Sequence, residues 1–179
     1  MKNKVGTALM ALLAMVVLVA CAGRKKMIRS SGLHAIKLGD ALPAPGTKAL
    51  KGVALRDTLL EDGEYTWRAS MMQYKNGPVY LEEDFYRSEQ LNRIRIETPD
   101  LKLRNGLRVG KTVSDLVEVG GEWFVSPLPR FKLFDVYSRK FPRVHFLVDA
   151  PGNALDKDFE EYSLDQFDPG SKIVAIVVF

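Results

Sequence analysis

The chain has 179 residues, 46% of them hydrophobic and 27% charged, with 26 Lys and Arg against 22 Asp and Glu and a formal net charge of +4. Its single cysteine excludes an internal disulfide and any thiolate metal cluster, so apolar burial alone has to hold the fold. A body of about 150 residues is large enough for one core, burying roughly 68–70% of its unfolded surface.

Taken in order, the chain opens with Lys2 and Lys4, followed by an uncharged run from Val5 to Ala20. A spanning helix needs about 20 apolar residues. This run is shorter and contains Gly6 and Thr7, so it suits a cleaved export signal better than a permanent span. It closes on Leu18-Val19-Ala20-Cys21, which resembles the lipobox of bacterial lipoprotein signal peptides. A plain secretory signal and a retained helix are the alternatives. The resemblance implies a signal peptide at 1–20 and a Cys21 carrying acyl chains of the palmitate type. Each buried CH₂ contributes about 0.8 kcal/mol, so two or more chains anchor stably where one does not. Ala22 in place of Asp implies, by the sorting rule of that family, delivery to the outer membrane, with the periplasmic face as the default. Removal of 1–20 takes two lysines and no acid, leaving 24 basic against 22 acidic residues and a charge of +2. The basicity is thus partly a property of the leader, and no nucleic-acid partner is expected.

Residues 21–32 read as the lipidated cysteine and a tether, in which Arg24, Lys25, Lys26 and Arg29 face an anionic leaflet or simply solvent. A single globular domain is expected over 33–179. His34–Leu38 alternates briefly, Pro43, Pro45 and Gly46 mark a loop, and Gly52–Leu60 holds a further strand with Val53 and Leu55 on one face. The strongest β pattern runs from about 64 to 97. Tyr65, Trp67, Ala69 and Met71 share a face, Asn76-Gly77 suits a type I′ hairpin, Val79, Leu81 and Phe85 resume, and Ile94 and Ile96 alternate with Arg93 and Arg95. Trp67 is assigned to the core by its neighbours Ala69 and Met71. A short helix is predicted near 112–120: Thr112 and Asp115 form a capping box, Val113, Leu116 and Val117 share a face, and Gly120 or Gly121 stops it. Phe131–Tyr137 and Arg143–Asp149 are strands, and the unbroken apolar run Lys172–Phe179 suits a central strand. The fold class expected is α+β and mostly β, an antiparallel sheet with one short packed helix.

Signatures of chemistry are scarce. His34 and His145 belong to no His-Glu-x-x-His pair, and no Gly-x-Ser-x-Gly elbow occurs. Gly106 to Thr112 ends like a phosphate loop, but its first glycine stands one residue too close. Asp156, Asp158, Glu160, Glu161 and Asp165 could offer oxygens to Ca²⁺, yet the EF-hand spacing and glycine are missing, and a solvated acidic face explains them. Neighbouring Glu82, Glu83 and Asp84 point to alternating faces, so Glu82 and Asp84 read as a solvent-facing charge ladder. Tyr65, Trp67, Tyr80 and Tyr86 could line a glycan or small-ligand groove. No catalytic residue, metal site or cofactor is expected.

Gly110-Lys111-Thr112 with Leu116 and Gly121 resembles the helix-strand module of SmpA/OmlA-type outer-membrane lipoproteins and of β-lactamase-inhibitor-like repeat domains, with Lys111 where those families carry Met. Gly106 to Thr112 is also similar to a Gly-x-x-Val-Gly-x-Thr segment of uncharacterised bacterial lipoproteins. These resemblances imply an α+β layer and envelope protein–protein contact, and no activity. The expectation is therefore a non-enzymatic envelope lipoprotein that binds or scaffolds through a strand edge or the loops at 40–50 and 125–130. A small-ligand or glycan-binding sheet is the alternative, and a hydrolase with a scattered acidic site ranks third.

Overall fold

The computed structural model describes residues 27–33, 35–44, 53–62, 65–84, 86–87, 89–153 and 162–179. The leader, Cys21, His34, the loop at 45–50, Phe85 and the acidic cluster at 156–161 lie outside the described residues. Eight strands form one antiparallel sheet: β4 (Leu55–Asp62), β5 (Tyr65–Tyr74), β6 (Gly77–Glu83), β7 (Leu91–Ile96), β8 (Phe124–Leu128), β9 (Leu133–Tyr137), β10 (Val144–Asp149) and β11 (Lys172–Val178). Their spatial order is β4-β5-β6-β7-β11-β10-β9-β8. The chain is α+β and mostly β, as its pattern predicts. The strands over 64–97 form a meander that β4 extends to four, and the apolar run at the end of the chain is central, between β7 and β10.

A smaller sheet, β1 (Ile28–Arg29), β2 (Gly32–Leu33) and β3 (Ile36–Lys37), begins inside the stretch read as tether. Ile28 donates its N–H to Lys102 O at 2.8 Å and is buried together with Leu33 and Ile36, so the folded body takes in this segment.

The pleat puts alternate residues of every strand on one face, and on the large sheet that face is the core. Met72, Val79, Leu81, Ile94, Ile96, Phe134, Val136, Phe146, Val148, Ile176 and Val178 are buried there. Leu33 and Ile36 of the small sheet, Leu101 and Leu107, the helix α1 (Val113–Val119), and Tyr162, Leu164 and Phe167 cover it. Phe134 meets Tyr162 and Phe167 edge-on, with ring centroids 5.3 and 4.6 Å away.

Helix α1 forms where its caps predict. Thr112 Oγ1 accepts from Asp115 N–H at 3.4 Å, and Asp115 Oδ2 accepts from Thr112 N–H at 2.8 Å. Lys111 Nζ donates to Asp115 Oδ1 at 2.6 Å. That bond first, and then the Thr112 backbone, holds the Asp115 carboxyl down at about 2. Gly120, with φ 70°, ends the helix, and its N–H returns to Val117 O.

Three details depart from expectation. The hairpin turn is Lys75-Asn76, because Tyr74 already pairs with Gly77. Neither turn residue has a positive φ, so it is not type I′; Gly77 instead takes φ 147° directly after it, where a Cβ would lie 2.6 Å from Glu97 O. Val117 does not join Val113 and Leu116 on the buried side and is 54% exposed. Trp67, read as core, lies on the opposite face of the sheet, since the core residues of β5 are Ser70 and Met72.

Candidate functional site

A flat eight-stranded sheet would hold its edges about 34 Å apart at roughly 4.8 Å per strand step. Here Leu60 and Glu61 of edge strand β4 line the same hollow as Leu128 of edge strand β8 and Phe131 of the turn after it. The sheet therefore curls about the face opposite its core, like an incompletely closed barrel. The hollow has a volume of about 490 Å³, within the range of small-molecule sites.

Its floor is apolar. Ala175 and Val177 of β11 are buried on this face too, and Leu133 and Leu147 continue the surface across β9 and β10. The register of β10 against β11 shifts between Leu147 and Val148, so that Val174 is skipped in the pairing and lines the hollow beside Ala175.

One side carries a buried charge cluster. Glu82, only 1% exposed, accepts on Oε2 from Trp67 Nε1 at 2.9 Å and from Arg93 Nε at 2.9 Å, with a second, shorter bond from Arg93 Nη2. Arg95 Nε lies 3.4 Å from Glu82 Oε1 and 3.4 Å from Glu97 Oε1. These are charge contacts without hydrogen-bond alignment, since both Arg95 Nε and Glu82 Oε1 are buried with no hydrogen-bond partner. The Arg93 guanidinium sits 5.5 Å from the Trp67 ring centroid and that of Arg95 4.6 Å from Tyr80. Glu82 is thus no solvent-facing rung. It is the buried acid that orients two arginines. Asp84, its supposed companion, accepts from the N–H groups of Tyr86 and Arg87 in the following turn.

The other side is aromatic. Phe124, Tyr137 and His145 stack in succession across β8, β9 and β10, at centroid distances of 5.4 and 4.9 Å, and Phe179 meets His145 edge-on. His145 Nδ1 lies 3.0 and 2.9 Å from the two oxygens of Asp135, so a carboxylate there requires the hydrogen on Nδ1. A nucleophile–His–acid relay needs the imidazole in the middle. Ser126 instead stands opposite Asp135 on the neighbouring strand, which leaves the acid in the middle.

The remaining sequence candidates do not converge on the hollow. Lys111 of the phosphate-loop look-alike is committed to Asp115. Asp165 and Asp168 are exposed beside a 3₁₀ turn at Leu164–Gln166. Tyr65 and Tyr86 are 64% and 91% exposed. Among the described residues no three His, Cys, Asp or Glu side chains come together as metal ligands, and no helix is long and apolar enough to cross a membrane. Of the expected binding loops, 125–130 contributes Leu128 to the hollow. Sequence reasoning missed Asp135, Leu147, Ala175 and Phe179 as site residues. The Arg93/Arg95 alternation, read as an outward face, was the one signal pointing there.

No family model matches this chain, and no curated protein does. Among solved structures, the fold is similar to that in the crystal structure of the uncharacterized protein yfeY from Escherichia coli, with a TM-score of 0.51 over 79% of this chain and 95% of that one. Sequence identity is 15%, so the likeness is one of fold.

Proposed function

We propose that this chain is a bacterial envelope lipoprotein, held by an acylated Cys21 at the periplasmic face of the outer membrane, whose body binds a ligand in the hollow of its curled sheet and performs no chemistry of its own. The tether rests on Leu18-Val19-Ala20-Cys21. The binding role rests on one observation: both sheet edges, seven strands apart, wall a single hollow with an apolar floor and a pre-oriented pair of arginines. A protein used only as a scaffold has no need of such a space, so ligand binding is favoured over passive contact. The His145–Asp135 pair has aromatic neighbours rather than a nucleophile, which favours binding over hydrolysis.

Two measurements test this. Intact mass and membrane fractionation should show acyl mass and outer-membrane partition in the wild type, both lost together in Cys21→Ser. In cells, a photoreactive benzoylphenylalanine replacing Phe131 or Phe179 at the rim should form adducts that the same residue at Val117, on the helix, does not. Equal labelling at all three positions, or none at the rim, would overturn the binding role. An unacylated wild type would overturn the tether.

A further inference from the structure

We propose that the hollow takes a single-chain anionic amphiphile, its acyl chain lying along the floor of β11, β10 and β9 and its acidic oxygens on Arg93 and Arg95. This rests on the binding role assigned above and names the ligand class.

The floor fixes the body of the ligand. Its side chains are Val174, Ala175, Val177, Leu147 and Leu133, and the strands beneath are paired in their ladders. A polar body laid there would give up water without finding a partner, whereas an alkyl chain loses only unfavourable hydration. From β7, where the arginines stand, to β9 is three strand steps, about 14 Å. That suits an extended chain better than a compact ring. The skipped Val174 and the small Ala175 line the hollow on β11, the first strand of this path beyond the arginines.

The head follows from which hydrogen-bonding capacity is left over. Arg93 spends Nε and Nη2 on one oxygen of Glu82, and its other amino group has no hydrogen-bond partner among the described residues. Arg95 touches acids only through Nε, and neither of its amino groups has a hydrogen-bond partner among the described residues. The acid beneath them is turned inward on Arg93 and Trp67. Glu82, Arg93, Arg95 and Glu97 sum to no net charge, and Glu61 and Asp135 also line the hollow, so no positive field draws the head in and the selection is made by the arginine donors. Both guanidinium groups are held against aromatic rings, on Trp67 and Tyr80, which lowers the ordering cost of receiving a carboxylate or phosphate. A cationic head would find Glu97 facing Arg95 and Asp135 facing His145, with Glu61 on edge strand β4.

The test uses the full chain with Cys21→Ser and Trp123→Phe, which leaves Trp67 at the site as the one tryptophan. Dodecanoate brominated on its chain should quench Trp67 fluorescence, and so should brominated lauroyl-lysophosphatidylglycerol. Brominated dodecyltrimethylammonium should bind at least about tenfold more weakly, the scale of one charge-assisted hydrogen bond. Arg95→Gln should weaken dodecanoate about tenfold and leave the ammonium compound unchanged. Should Trp123→Phe misfold, displacement of a fluorescent acyl probe from the chain with both tryptophans gives the same ranking. Tighter binding of the lysophospholipid assigns the ligand to membrane lipid, and tighter binding of dodecanoate to free fatty acid; either supports the inference. Equal affinity for the ammonium compound, or indifference to Arg95→Gln, would overturn the head assignment. Absence of binding by every amphiphile would overturn the ligand class, while rim adducts at Phe131 and Phe179 would still uphold the binding role.

Discussion

On one face of the sheet Phe134, Phe146, Ile94 and Ile176 close against the helix, the small sheet and the 162–167 segment. One residue along the same strands, on the other face, Asp135, Leu147, Arg95 and Val177 surround open space. The strands, their register and their backbone bonds are common to both faces, so the difference lies in the side chains and in what covers them. On the covered face, polar atoms are few. On the open face a buried acid, two arginines and a His–Asp pair are kept at the cost of core that could have been built there. Such groups add little to stability when paired and cost much when a partner is removed. Their presence on the open face supports the proposed binding role, since the fold gains little stability from them.

The sharpest way to break the comparison is to make the same kind of truncation on each face. Phe134→Ala removes a ring that is 1% exposed and enclosed by Tyr162 and Phe167, and should cost about 3–5 kcal/mol. Leu147→Ala acts on a partly buried side chain already bordering a hollow, so no new enclosed cavity forms, and about 1 kcal/mol is expected. Urea unfolding measures both. Equal losses would mean that the open face is core after all.

The charge cluster offers a second asymmetry. Arg93→Met leaves Glu82, which is 1% exposed, with the Trp67 hydrogen bond and the unaligned Arg95 contact, and should cost about 3 kcal/mol. Glu82→Leu releases Arg93 and Arg95, whose side chains are 36% and 29% exposed and can turn toward solvent. It should cost about 1 kcal/mol or less. The reverse order would show that Glu82 holds the sheet together rather than aiming the arginines.

The covered face was largely legible in the sequence because it obeys the period of two. Val144, Phe146 and Val148 announce their strand, as do Ile94 and Ile96, and the Thr112–Asp115 pair announces the helix start. Trp67 misled because aromatic and small neighbours say that a face is enclosed, not by what. The hollow stayed hidden for two physical reasons. The curl that brings Leu60 toward Leu128 is a property of eight strands together, and the features that shape it are slips in register. One is at Leu147/Val148 and one at Glu82/Glu83, each a single extra residue that leaves no mark in a hydrophobic pattern. A glutamate followed by Glu83 and Asp84 looks solvated until its cross-strand partners prove to be Arg93 on one side and Ala69 on the other.

Tyr74 provides the smallest effect and the converse of Glu82, since it is a polar atom on the covered face that earned no partner. Its hydroxyl is buried with no hydrogen bond, and burial first, then the charge of Asp100, pushes its pKa up to about 12. Tyr74→Phe removes the orphan without leaving another group unpaired, so at neutral pH the change should be within about 0.5 kcal/mol and in the stabilising direction. The difference should grow in alkali. A raised folded-state pKa means that the stability linked to this proton is complete below the unfolded value of 10.0 and drains away as the pH climbs toward about 12. The wild type should therefore lose stability over that interval relative to Tyr74→Phe, with the other tyrosines common to both. Parallel pH–Tm curves would place the hydroxyl in contact with water, and the covered face would then be less completely closed than the hollow it is set against.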